Sequence, residues 1–513
     1  MSKRYYDVVI LGAELAPLTC AALLAKRGFR VLVLGQGTPA PNYQLGPFQL
    51  PQRSFQEAFG HTPVCERVIS ELGLGPGLKR PAHSHEPAFQ VAVPGHRLDV
   101  SVDRAELLRS FEREFPEVRR PIEEFHERVA RIMQDLDALC TGELVMPPET
   151  FLERQRFGKA RRALTALRLP RLPDDEDVLA DLPEGHRFRD VAALPARFES
   201  GIDSARSGAL RMLRLYGNCR RSNNTPVGGT AAFRELLLQK IHAHSGQLRL
   251  DERAVQLDVQ RGEVAGLTLL NSNDEIACGF VVVGTDIAQL PRWLSDRNAL
   301  EQLFERVGEP MVRHYRYTLN VVLRTSGMPA GLGQNLYLVR ESEPNRPSQD
   351  LHIGSHRLDA QHSVISAEAL LPARKLEDEP SYLGGVRASC LAALHELLPF
   401  LGQHLVLVDS PHDGRSPDSE HTQHAQLNPF QLAQRGPAHM PTVCSYPVLS
   451  HLELCALPIR TPIRRLLLCN SQVVPGLGSE GQLMAACSAA RVITWADRGR
   501  SWMRRRLWTK VET

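Results

Sequence analysis

The sequence predicts an α/β protein: a Rossmann-like domain assembled from separated stretches of chain, with an α+β domain interleaved between them. Three observations carry this reading. The first 35 residues run strand, tight turn, helix, strand. A buried strand ending in Gly284-Thr285-Asp286 lies mid-chain, and a third, near the C-terminus, leads into a glycine-rich turn and a helix of small residues.

Tyr6 to Leu11 is a short apolar, β-branched run, the pattern of a strand buried on both faces. Glu14 to Lys26 follows as a helix rich in Ala and Leu, closed by Arg27-Gly28. Arg30 to Leu34 is the next strand, and a crossover of this length joins parallel strands. Phe89 to Pro116 reads as two short strands and a helix, with residues 102–200 supplying a helical cap. Thr225-Pro226-Val227-Gly228-Gly229-Thr230 opens a helix running to about His244. Strands are expected near 247–250, 255–258 and 264–269, then from Phe280 to Gly284. Candidates for an antiparallel sheet lie near 313–324, 335–340, 349–355 and 362–371. Arg464 to Cys469 is a last buried strand, and the small-residue helix runs from Gln482 to about Asp497. The Rossmann-like domain is expected to use 1–80, 216–295 and 451–497, and the interleaved domain 81–215 and 296–450, leaving 498–513 as a basic Trp/Arg tail.

Composition narrows the function. The 513 residues allow about three domains at roughly 150 residues each. With 42% hydrophobic and 23% charged residues, long disorder is excluded. Lys and Arg number 61 against 58 Asp and Glu, and a net +3 gives no footprint for nucleic acid. Ten cysteines without a CxxC pair argue against a disulfide scaffold or a zinc ribbon, and fit a reducing, cytoplasmic compartment. No run of about 18 apolar residues is present, and the N-terminus reads as a strand rather than a signal peptide. P-loop, GxSxG and HExxH motifs are absent, which removes support for phosphoryl transfer, serine hydrolysis and zinc proteolysis.

The first turn is where a GxGxxG motif would bind a dinucleotide, and it reads Gly12-Ala13-Glu14-Leu15-Ala16-Pro17. Gly12 still permits the tight turn. Glu14 places a side chain and a charge where backbone should approach a pyrophosphate, and Pro17 replaces the glycine of close helix–strand packing. After the second strand, Gly35 stands where an acidic residue would bind ribose.

Together these segments resemble the phytoene desaturase and amine-oxidase branch of the two-domain FAD-binding fold. The resemblance covers the opening βαβ unit, the Pro226-Val227-Gly228-Gly229 helix, the strands around Val255, and Cys469 to Val492; Phe89 to Pro116 resembles that family's first substrate-domain insertion. It implies a cofactor site lined by Gly12, Ala13, Glu14, Leu15, Gly35, Val255, Thr285 and Ser471, with Pro475, Gly476, Gly478 and Gly481 as the glycine-rich turn under the isoalloxazine ring. The family's Ala-Gly-Asp reads Cys469-Asn470-Ser471 here, so the aspartate that holds the ribityl region is missing.

Four FAD-contacting places have therefore changed: Glu14, Pro17, Gly35 and Ser471. A lost hydrogen bond costs about 1–3 kcal/mol. Nanomolar binding is worth on the order of 12 kcal/mol, so losing roughly 5–8 leaves micromolar affinity or weaker. Two functions follow from the resemblance. In one, flavin redox activity is weakened or lost, and the chain is a pseudoenzyme whose apolar cleft holds a lipid-like ligand or a protein partner. The Rab GDP-dissociation inhibitor family, which resembles the same fold outline and lacks FAD, is the precedent. In the other, an active FAD-dependent desaturase or dehydrogenase takes hydride from an isoprenoid or lipid-like substrate. The altered positions favour the first. No residue earns a catalytic role from sequence.

Three further features have two readings each. Residues 151–173 carry seven Arg and Lys against Glu153 alone, which suits an anionic membrane surface; arginines paired with the acidic run Asp174-Asp175-Glu176-Asp177 are the preferred reading. Residues 495–510 mix Trp495, Trp502 and Trp508 with arginines, suiting a membrane interface or packing on the neighbouring domain. His412, Asp413, His421 and His424 are expected in a solvent-exposed loop, with no metal; Cys469 and Cys487 are expected as buried apolar residues, Cys469 being the one to test for reactivity.

Overall fold

A computed structural model describes residues 4–53, 62–78, 87–164, 178–203, 208–221, 229–340, 350–379, 381–417 and 437–508, with the backbone alone over 498–508. The opening unit is strand β1 (Arg4–Leu11), helix α1 (Leu15–Lys26) and strand β2 (Val31–Leu34), with β1 and β2 parallel and Val8 opposite Val31. From Ala16 to Ala25 every residue of α1 is buried, which its run of small and apolar side chains allows. A hairpin, β3 (Asn42–Leu45) and β4 (Phe48–Pro51), and helix α2 (Pro63–Leu72) complete this segment.

The cap begins with hairpin β5 (Phe89–Val93) and β6 (His96–Val100). Helices α3 (Arg104–Glu114), α4 (Arg119–Thr141), α5 (Phe151–Ala163), α6 (Arg187–Glu199) and α7 (Ala209–Arg221) follow. Phe111, Phe125, Phe188 and Tyr216 meet edge to face around His126. His126 donates from Nδ1 to the Ile122 carbonyl at 2.8 Å and accepts the Tyr216 hydroxyl at Nε2 at 2.9 Å, so this neutral tautomer uses both nitrogens. Burial lowers its pKa to about 3, and likewise lowers His352, buried in the second sheet, to about 4. The unfolded chain therefore binds protons below about pH 6.5 that the fold refuses, so stability falls as pH drops. The expected loss between pH 7 and pH 5 is about 2 kcal/mol per histidine, to be read from urea unfolding; His126→Phe should flatten the slope by its share.

The chain then returns through helix α8 (Gly229–Ala243) and strands β7 (Gln247–Arg249), β8 (Ala254–Gln260), β9 (Glu263–Leu269) and β10 (Glu275–Val283). The first sheet has the order β7-β2-β1-β10-β9-β8, with β1 parallel to β10. Helix α9 (Asn298–Val307) leads into the second sheet: β11 (Met311–Arg324), β12 (Asn335–Leu338), β13 (Leu351–Arg357) and β14 (His362–Pro372). Helices α10 (Ala373–Asp378), α11 (Tyr382–Leu397) and α12 (Leu401–His404) precede strands β15 (Leu405–Asp409) and β16 (Thr442–Ser445). That sheet runs β15-β11-β14-β13-β12-β5-β6, with β16 on β11. The hairpin of the 81–215 stretch thus extends the sheet built by 296–450. The last pass is β17 (Leu466–Leu468), parallel to β10, and helix α13 (Gly478–Trp508).

Several expectations are corrected. The last helix starts at Gly478, not Gln482, and continues through Asp497 to Trp508, so the basic stretch is helical and continuous with it. His412 is buried, donating from Nδ1 to the Ala438 carbonyl at 3.0 Å, and Asp413 is paired with Arg387 at 2.8 Å; neither sits in a solvent-exposed loop. His421 and His424, the Thr225–Gly228 stretch and the acidic run 174–177 lie outside the described residues. All ten cysteines are buried free thiols, and burial pushes Cys469 well up, leaving it a poor nucleophile. Among the described residues no helix is long and apolar enough to cross a membrane.

Candidate functional site

The carboxyl ends of β1, β2 and β10 face the second sheet across a cavity of about 870 Å³. Open α/β sheets hold their ligands at this end of the strands. Gly12, at φ 109°, makes the turn out of β1, and its N–H donates to the Leu34 carbonyl at 2.8 Å. Only glycine takes that conformation without strain. The next residue is already committed to the chain itself: the Ala13 N–H donates to the Thr38 hydroxyl at 3.1 Å, and its carbonyl accepts from Arg234 Nε at 3.2 Å.

Glu14 is the N-cap of α1, with extended backbone and no capping bond from its side chain. Its exposed surface opens on the cavity. Burial raises its pKa, Arg53 opposes the rise, and Asp286 adds to it. Ala13 and Leu15 flank it on the wall. Pro17 fills the space beside Gly284 that a small residue would leave open.

At the end of β2 the place of the resembled family's acid is filled by backbone, while Gln36, Gly37 and Thr38 line the cavity. The Gly35 N–H donates to the Arg249 carbonyl at 3.1 Å, and a Cβ at position 35 would stand 1.7 Å from the Leu250 carbonyl oxygen. Gln36 then turns with φ 53°, and its amide takes the Ala254 N–H at 2.9 Å and donates to the Ala254 carbonyl at 2.8 Å. Val255 beside it is 39% exposed, and neither Val255 nor Gly35 lines the cavity.

The opposite wall is the turn before α13. Asn470 donates from Nδ2 to the Thr285 carbonyl at 2.6 Å, and Gln472 accepts the Ile287 N–H at 2.8 Å and reaches Asp286 at 3.2 Å. These two amides fasten the loop after β10 to the loop after β17, presenting Thr285 and Ser471 to the cavity. Pro475 and Gly478 also line it. Gly478 has φ 54°, and a Cβ there would stand 2.6 Å from the Glu199 carbonyl oxygen. Gly12, Gly476 and Gly481 lie behind the wall, Gly476 against Leu454 and Gly481 against the Val474 carbonyl.

Sequence reasoning missed the charged floor. Arg316 is buried, pairs with Glu368 at 2.6 Å, and donates to the Phe198 and Ser200 carbonyls at 2.6 and 2.9 Å. It thereby fixes the end of α6, where Glu199 lines the cavity and accepts the Tyr337 hydroxyl at 3.3 Å. Burial pushes Glu199 well above the usual carboxylate range, against the pull of Arg316, whereas Arg316, Arg53 and His352 hold Glu368 below it despite burial. Burial thus favours the protonated form of Glu199 at the cavity wall, a form able to donate a hydrogen bond. A raised carboxyl lowers stability as pH rises through the interval between its unfolded and folded pKa values. Glu199→Gln is expected to gain stability relative to the parent as pH rises above the ordinary carboxylate range, measured by urea unfolding. No spacing or motif in the sequence pointed to these residues. No group of three or more metal-ligating side chains occurs among the described residues.

This architecture is the fold of solved oxidoreductase and amine-oxidase structures. An oxidoreductase from Methanosarcina mazei superposes with a TM-score of 0.60 at 15% identity, covering 94% of this chain and 100% of that one. Cyclohexylamine oxidase from Brevibacterium oxydans gives 0.54 at 16% identity, over 95% and 98%. Putrescine oxidase gives 0.53 at 15% identity, over 96% and 99%. Among curated proteins, the chloroplastic prolycopene isomerase of Daucus carota is 24% identical over 291 residues, 54% of this chain and 46% of that protein. The match therefore spans less than half of that relative. No family model matches the chain.

The residues fit FAD unevenly. The turn before α13 lines the cavity with Pro475 and Gly478, where the resemblance places the ring end of a flavin. The pyrophosphate and adenosine end does not fit: Glu14 stands at the helix N-terminus, the Ala13 N–H is taken, and the Leu250 carbonyl leaves no room for an acid at position 35.

Proposed function

We propose that this chain is a ligand-binding member of its superfamily whose cleft takes an isoprenoid or lipid-like molecule and whose flavin redox activity is weakened or lost. The observation that carries the reading is the filled place of the family's acid, where Leu250 abuts Gly35 and Gln36 occupies both backbone groups of Ala254. Apolar wall residues such as Leu15, Phe48, Pro51 and Leu358 support an apolar body for the ligand. Glu199 offers a hydrogen bond to one polar group on it. The name of the carrot relative, prolycopene isomerase, supports a polyene as the ligand class.

The test is the visible spectrum of the purified protein, before and after excess FAD and desalting, with organic extraction of the same sample. A colourless, folded protein that yields a stoichiometric lipid is the expected result. Stoichiometric flavin bands would overturn it and favour the second reading, an active FAD-dependent desaturase or dehydrogenase on an isoprenoid or lipid-like substrate. That reading draws on the turn at Pro475 to Gly478, which keeps the ring end open.

A further inference from the structure

Two basic segments more than 300 residues apart in sequence meet in the fold. The Arg156 guanidinium of α5 lies 5.2 Å from the ring of Trp495 in α13, and Arg491 lies 5.8 Å from the same ring. Trp495 is where the arginine-rich end of α13 begins. From there the helix runs on for about 20 Å, and residues 498–508 contain five arginines and no acid.

Helix α5 is sided by its one carboxylate. Glu153 forms a capping box with Thr150 and turns inward to pair with Arg460 at 2.7 Å, beside buried Phe157. What remains outside is Arg154, Arg156, Lys159, Arg161 and Arg162, all exposed. At the start of the same helix Phe151 and Leu152 are 79% and 62% exposed, side by side. An adjacent Phe and Leu left in water cost hydrophobic free energy that insertion between lipid tails recovers, and the surrounding cations match phosphate and carboxylate headgroups.

We propose that the outer face of α5, beside the end of α13, is a docking surface for an anionic bilayer, with Phe151 and Leu152 entering the interface and the α5 cations facing the headgroups. Charge complementarity and the exposed apolar pair select this occupant. Nucleic acid would use the cations and leave the aliphatic Leu152 without a role.

The test is flotation of the full-length protein with large vesicles of phosphatidylcholine alone or containing about 30% phosphatidylserine, at about 0.1 M and about 1 M salt. Expected are binding that requires phosphatidylserine, weakening at high salt, and a loss of at least about tenfold in both F151S/L152S and R154E/K159E/R161E. Melting curves confirm that the variants, all at exposed positions, remain folded. The lipid and salt dependence of the parent needs no variant. Equal binding to neutral vesicles, binding indifferent to the charge reversals, or capture of a single-stranded oligonucleotide but not of vesicles would each overturn the proposal.

Discussion

Glu480→Ala is expected to destabilise the protein by about 3–5 kcal/mol, measured by urea unfolding at neutral pH, because it strands a buried cation. Arg214 has no exposed side chain. Its guanidinium forks onto Glu480 at 2.5 and 2.9 Å and reaches Asp137 at 2.6 Å and the Met133 carbonyl at 3.3 Å. Asn218 donates to the same Glu480 carboxylate at 2.9 Å. Removing that carboxylate leaves the charge of Arg214 with Asp137 alone, which Arg221 already shares at 2.8 Å. Replacing both partners, as Arg214→Met with Glu480→Leu, takes the charge away with its counter-charge and should cost clearly less than the single change. A double variant as unstable as Glu480→Ala would mean that packing, not the stranded charge, sets the loss. Glu480 stands in the first turn of α13, favourable to the helix dipole, so the same change should loosen the turn that carries Gly478 into the cavity.

How far the sequence foretold this molecule depended on whether the signal was local. Most strands of both sheets are readable because each is a short apolar or alternating run, and the βαβ opening fixes its own neighbours; β15 and β16 were not expected. The extension of the second sheet by β5 and β6 joins segments far apart in the chain, and no periodicity encodes that meeting. The cavity's charged floor was invisible for the same reason: Glu199 ends one helix, Arg316 sits mid-strand, and only tertiary packing sets one by the other. Asn470 departs from the family's Ala-Gly-Asp, yet it works as a fastener on the Thr285 carbonyl. His412 was expected to be exposed because Pro, Ser and His cluster there, whereas the bend that follows β15 packs it into the core. Gly35 was readable as a missing acid. That the place for the acid is filled by backbone was not.

Gly35 and Glu14 therefore predict opposite outcomes when the family's residues are restored. Glu14→Gly should raise FAD affinity by roughly ten- to hundredfold, about 1.4–2.8 kcal/mol, by removing a carboxylate from the place of the pyrophosphate and freeing the helix N-terminus. Gly35→Glu should raise nothing. Its Cβ would meet the Leu250 carbonyl oxygen at 1.7 Å, and relieving such overlap costs about 3 kcal/mol or more of stability. The two changes separate the terms that sequence comparison lumps together: charge at the phosphates, and space at the ribose. Glu14 also gives a sign to pH. Its raised pKa means that an arriving pyrophosphate favours the protonated acid, so residual FAD affinity in the parent should fall as pH rises, while Glu14→Gln should be flat. Fluorescence titration with FAD at several pH values reads all three variants. A parent whose affinity is independent of pH would place the barrier at Gly35 and Gln36 alone, and Glu14→Gly would then gain nothing.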